Sequence, residues 1–176
     1  MSINRQPNEQ QHLNRLALFS GDDAMQADPV PAMKHCFDLA QVSRLREFWK
    51  QYSLVAYDGS RQLAQGHGTC MDFFDRLELL VETCWLIRIQ ASPVFDPFAQ
   101  EMSNYSLAEW KNLLHIWRGA VLSRHSLGEE LETTTMLNAF LCIDQLLVAA
   151  NAWLEDHQNR YMLEDAYVIY RTRLRA

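Results

Sequence analysis

Between Thr69 and Ile89 the apolar residues Cys70, Phe73, Phe74, Leu77, Leu80, Val81 and Cys84 recur at the three- and four-residue spacing of one helical face. Asp72, Asp75, Glu78 and Glu82 make an acidic stripe beside that face, which reads as a solvated helix surface. Phe37, Leu39, Val42, Leu45 and Phe48, with Arg44, Arg46 and Lys50 among them, predict an earlier helix. Further on, Ser106 to Glu109 reads Ser-Leu-Ala-Glu, a capping box in which each side chain accepts from the other residue's backbone N–H. It opens a helix from about Leu107 to His125, and Gly128 breaks the pattern. The longest helix is predicted from about Glu129 to Asp156. Met136, Leu137, Phe140, Leu141, Ile143, Leu146, Leu147, Ala150, Trp153 and Leu154 cover most of its circumference, so it is expected to be central. A last helical pattern runs through Tyr161, Met162, Val168, Ile169 and Leu174, with Arg171, Arg173 and Arg175 at the end where the helix dipole favours cations.

The segments between these patterns define the organisation. Residues 1–14 read as a flexible polar tail, and residues 15–176 as a single all-helical domain. After the short apolar piece Leu16–Phe19, Pro29 and Pro31 favour an extended linker. Residues 53–64 contain Asp58-Gly59, which suits either a hairpin turn or a break between helices. The break is favoured, because no other segment looks like a partner strand. Two prolines, Pro93 and Pro97, end the helix that begins near Thr69. The predicted fold is therefore all-α: a single-domain helical bundle of about five or six helices around a long apolar central helix.

Composition narrows the class. With 48% apolar and 22% charged residues the chain resembles an ordinary globular domain. A formal charge of −6 lacks the basic field that a general nucleic-acid coat needs, so nucleic acid is expected to be contacted, if at all, by a local basic stripe. Cys36, Cys70, Cys84 and Cys142 form no C-x-x-C pair and sit among apolar neighbours, which predicts reduced thiols packed as small hydrophobes. The polar N-terminus has no apolar core of a signal peptide, and Asp75, Arg76, Glu78, Glu82 and Arg88 interrupt the most apolar run, Phe73 to Ile89. A soluble, cytoplasmic protein without membrane contact is expected.

Candidate chemistry concentrates on the helix that opens at Leu107. Lys111, His115, Arg118 and His125 fall on one side of it by the 3.6-residue period, a narrow basic stripe beside the apolar face of Leu107, Trp110, Leu113, Leu114, Trp117 and Val121. The stripe suits an anionic partner. Arg118 and His125, with six residues between them, resemble the R-x(4-6)-H signature of the HEPN family, all-helical domains many of which are metal-independent ribonucleases. The resemblance implies a dimer in which two such pairs meet, with Arg118 binding phosphate and His125 doing acid–base work. Here Gly119 follows the arginine, where that family often carries a polar residue.

Asp144 lies among Leu137, Phe140, Leu141, Leu147 and Val148, so it is expected to be buried and paired with a cation from another helix, Arg118, Arg76 or Arg88. The histidines show no metal-ligand spacing, no strand precedes the Gly66–Gly68 pair, and no Ser or Cys sits at a strand-to-helix elbow. No cofactor or metal is predicted. Five tryptophans, Trp49, Trp85, Trp110, Trp117 and Trp153, are many for one small domain and leave some for an interface. The sequence therefore reads as a non-enzymatic cytosolic interaction protein, a regulator, adaptor, chaperone or immunity-type protein presenting a helical face to a protein partner. A homodimer is also compatible. The alternative is a HEPN-like metal-independent ribonuclease using Arg118 and His125, and a small-ligand pocket between helices is a third class.

Overall fold

The computed structural model describes residues 12–173 except 22, 39, 60, 62, 64, 92–95 and 124, with side chains as far as residue 158. It is all-helical, with no strand among the described residues. Seven helices follow in order: α1 (Asn14–Ser20), α2 (Pro29–Phe37), α3 (Val42–Tyr57), α4 (His67–Gln90), α5 (Ala99–Met102), α6 (Leu107–Ser123) and α7 (Thr133–Arg173), with a 3-10 turn at Leu127–Glu129. Residues 1–11 of the expected tail lie outside the described residues. Leu13, at its predicted end, is buried, and α1 begins at Asn14.

Local chemistry accounts for the helix ends. The capping box is present: the Ser106 N–H donates to Glu109 Oε2 at 2.7 Å, and the Glu109 N–H donates to Ser106 Oγ at 3.3 Å. Asp58-Gly59 lies in the break between α3 and α4. Gly21, at φ 71°, closes α1 in the left-handed conformation and donates its N–H to the Ala17 carbonyl at 3.0 Å. The prolines correct one expectation. Pro29 and Pro31 start a helix and do not form an extended linker: Asp28 caps α2 by accepting from the Val30 N–H at 3.0 Å, and both prolines fall in the first turn, where a backbone N–H has no intrahelical partner to lose.

Packing assigns the middle of the bundle to α4. Helices α1, α2 and α6 lie against it, α3 packs on α6 and α7, and α7 packs on α2, α3 and α5. Twelve of the 24 residues of α4 are buried, including every member of its predicted apolar face. The tryptophans belong to the interior. Trp49, Trp110 and Trp117 are buried, Trp85 and Trp153 pack against the core, and the Trp49 indole N–H donates to the Phe140 carbonyl at 3.0 Å. They give no support to an aromatic interface.

The long apolar helix exists and is longer than its pattern. Neither Gly nor Pro occurs between Thr133 and Arg173, so the last two patterns merge into one helix of 41 residues, about 60 Å long at 1.5 Å per residue. It is not the central one. Leu137, Leu141 and Val148 are 56%, 45% and 44% exposed, so part of its apolar circumference faces outward. Over Thr133–Gln158, with a hydropathy of 1.4, α7 is long and apolar enough to cross a membrane by length and composition alone. This departs from the sequence expectation, which takes Phe73–Ile89 as the most apolar run and finds none long enough to span a membrane.

Asp144 is paired with a cation on another helix, as expected, but the cation is Arg46 of α3. The guanidinium grips both carboxylate oxygens, Nε to Oδ1 at 2.7 Å and Nη2 to Oδ2 at 2.6 Å. Nor is the pair buried: the side chains are 45% and 24% exposed, because α3 leaves the site open to water. Together with the Trp49 contact to Phe140, it shows α3 and α7 running antiparallel. An ion pair in that setting contributes about 1 kcal/mol or less. Asp144→Ala is therefore predicted to lower stability by about that amount in urea unfolding; a loss of about 3 kcal/mol would mark the pair as buried.

Candidate functional site

The acidic stripe of α4 enters the protein as it runs toward the C-terminal end of that helix. Asp72 is half exposed and pairs with Arg76 on its own helix at 3.1 Å. The Asp75 side chain is 35% exposed, that of Glu78 20%, and that of Glu82 is fully buried. Helices α1 and α6 close over it. Arg118 and Lys111 of α6 meet Asp75 and Glu82 of α4, the order of antiparallel helices, with Arg118 Nη1 3.3 Å from Asp75 Oδ1 and Lys111 Nζ 2.5 Å from Glu82 Oε1. Arg15 of α1 completes the cluster, reaching Asp75 at 2.5 Å and Glu78 at 3.1 Å. Apart from Asp72, which stays exposed, the surface predicted as solvated is thus an ion cluster of three acids and three bases that runs from the partly exposed Asp75 to the buried Glu82.

Glu82 does two jobs. Besides pairing with Lys111, its Oε2 accepts from the Leu16 N–H at 2.7 Å and its Oε1 from the Arg15 N–H at 3.3 Å. Helix α1 is preceded by Leu13, which has no side-chain acceptor, so a carboxylate from another helix takes the capping role. The negative charge also sits at the positive end of the α1 dipole. Lys111 in turn donates to the His12 carbonyl at 2.7 Å and lies 3.0 Å from Glu78 Oε1. All three donors of its ammonium are engaged within the fold. Burial raises the Glu82 carboxyl above its ordinary value, and the bonds to Lys111 and to the Leu16 backbone offset that only in part. At Glu78 burial acts the same way, but Lys111 and Arg15 outweigh it and hold the carboxyl below its ordinary value.

The four predicted site residues therefore fare differently. Lys111 is mostly buried in the cluster. Arg118 points one guanidinium nitrogen at Asp75 and the other at His115 Nδ1, 3.2 Å away. Because a guanidinium only donates, that contact needs Nδ1 as the acceptor. His115 itself is exposed. His125 is exposed too, but α6 ends at Ser123, so His125 stands beyond the helix and does not share its face with Arg118. The expected helix to His125 is short by two residues, and it runs unbroken through Gly119.

No known protein family, curated protein sequence or solved structure matches the chain. Among the described residues no three His, Cys, Asp or Glu side chains converge as a metal site requires. Arg15 and Glu82 were missed by reading the sequence, although a signal for the cluster was there. Asp75 and Glu82 lie seven residues apart on α4, as do Lys111 and Arg118 on α6, and opposite charges at equal spacing match when two helices run antiparallel.

Breaking this cluster from one side is predicted to cost more than removing the pair. Lys111→Met leaves Glu82 buried without its cation and should lower stability by about 3–5 kcal/mol. Lys111→Met with Glu82→Leu should recover part of that loss in chemical denaturation, since no buried charge remains. Equal and additive losses would show that the two side chains act separately.

Proposed function

We propose that this is a non-enzymatic cytosolic interaction protein that presents a helical face to a protein partner, and that the face is the outward side of α7 rather than the basic stripe of α6. The observation that carries the reading is the exposure of Leu137, Leu141 and Val148. At about 100° per residue they fall within roughly 40° of one another along three turns, with Asp144, held by Arg46 of α3, beside them. Large apolar side chains grouped on one exposed helix face mark contact surfaces, and an apolar helix face against a partner groove is a recurrent recognition mode. The described cysteines are free and buried, which suits a reducing compartment.

The other readings draw less support. Lys111 and Arg118 neutralise acids of their own chain, and the separation of His125 from the α6 face removes the shared helical face on which the ribonuclease resemblance rested. A cavity of about 160 Å³, lined by Tyr52, Val55, Leu63 and neighbouring residues, is below the roughly 300–1,000 Å³ of small-molecule sites.

Leu137→Glu is the test. The side chain is more than half exposed, so the variant should melt within about 2 °C of the parent, corresponding to a surface change of about 0.5 kcal/mol or less. It should lose the partner contact of the native protein, read as retention on the immobilised chain. An unchanged contact in Leu137→Glu, or metal-independent RNA cleavage that disappears in His125→Ala, would overturn the reading.

A further inference from the structure

We propose that the cavity against the last turns of α3 is a binding site for a small neutral molecule made of a single six-membered ring carrying one oxygen. Gln51, Tyr52, Leu54 and Val55 of α3 line it, together with Arg61, Leu63 and Gln65 from the break between α3 and α4. No described residue of α7 takes part, so the site is distinct from the contact face. Its volume of about 160 Å³ is too small for a nucleotide or a larger cofactor, but it matches the roughly 150 Å³ of an apolar cavity that admits benzene.

The walls set the chemistry of the ligand. The Tyr52 ring and the side chains of Leu54, Val55 and Leu63 are apolar, which suits a ring. The two glutamines are engaged with the protein itself: Gln65 Nε2 donates to Gln51 Oε1 at 3.0 Å, and Gln51 Nε2 donates to Glu47 Oε1 at 3.1 Å. Arg61 is matched by Asp58, with Nε 3.1 Å from Oδ2, so the site calls for no anion. The Tyr52 hydroxyl is the exception. Tyr52 is 1% exposed, and its hydroxyl is buried with no hydrogen-bond partner among the described residues. A buried hydroxyl without a partner is destabilising, and a ligand oxygen that accepts from it removes that cost. Burial pushes the hydroxyl up to about 12, so it remains a donor across the neutral range. A ring with one accepting oxygen describes phenol and its neutral relatives.

Phenol, benzene and benzoate, each titrated into the full chain and followed by methyl NMR, test the assignment. Phenol should produce saturable shifts at Val55 and Leu63. Benzoate, the same ring with a charge, should bind at least about tenfold more weakly, because a buried charge gains no unmatched partner there. Tyr52→Phe keeps the ring and removes the donor, so it should weaken phenol about fivefold and leave benzene unchanged. That variant should be no less stable than the parent, since the hydroxyl has no bond to lose. Leu54→Trp, at a lining position that is 43% exposed, should fill the cavity and abolish binding of phenol and benzene with an unchanged circular dichroism spectrum. Shifts that never saturate overturn the proposal, as does saturable binding that Leu54→Trp leaves intact. Benzoate binding as tight as that of phenol, or a phenol affinity unchanged in Tyr52→Phe, overturns it too.

Discussion

A carboxylate taken wholly out of water has to be neutralised and bonded where it lies, and Glu82 imposes that demand on the surrounding helices. Its two oxygens receive the Lys111 ammonium and two backbone N–H groups of α1. Three elements distant in sequence are held by one group, since α1, α4 and α6 each contribute a part that the others cannot replace. Without Glu82 the first turn of α1 has no cap; without Lys111 the carboxylate is an unmatched charge in the core. Asp75, Glu78, Arg15 and Arg118 extend the cluster outward to partly exposed positions, where each pair contributes less.

That arrangement explains why the basic residues of α6 looked like a site. Lys and Arg repeated on one helix face read the same whether they meet a partner or the protein's own acids. Only the position of the facing helix decides. Here that helix is α4, and the electrostatic complement of the stripe comes from the same chain, which leaves His115 as its exposed member and His125 beyond the end of the helix.

What was legible in the sequence was whatever depends on neighbours along the chain. The apolar face of α4, the Ser106–Glu109 box and the break at Asp58-Gly59 follow from spacing and turn chemistry. Pro29 and Pro31 misled because a proline forbids the interior of a helix and favours its first turn, and the difference turns on the Asp28 cap. Burial of polar side chains was not legible at Glu82, nor was the Arg46 partner of Asp144, since both depend on which helices pack together. For α7 the sequence displayed apolar residues nearly all round but could not say that Leu137, Leu141 and Val148 face outward. That outward face is the surface through which the protein is proposed to work.

At the centre of this account, Glu78 and Glu82 of the α4 stripe lie within the fold and hold α1 to α6. Titration of the glutamate side-chain carboxyl carbons by NMR tests it most directly. The account predicts that Glu82 protonates above the ordinary glutamate range, because burial dominates there, and Glu78 below it, because Lys111 and Arg15 dominate there. Two carboxyls four residues apart on one helix would then titrate in opposite directions from the usual value. Coincident titration of both at the ordinary value would contradict the account, since a solvated stripe gives that result.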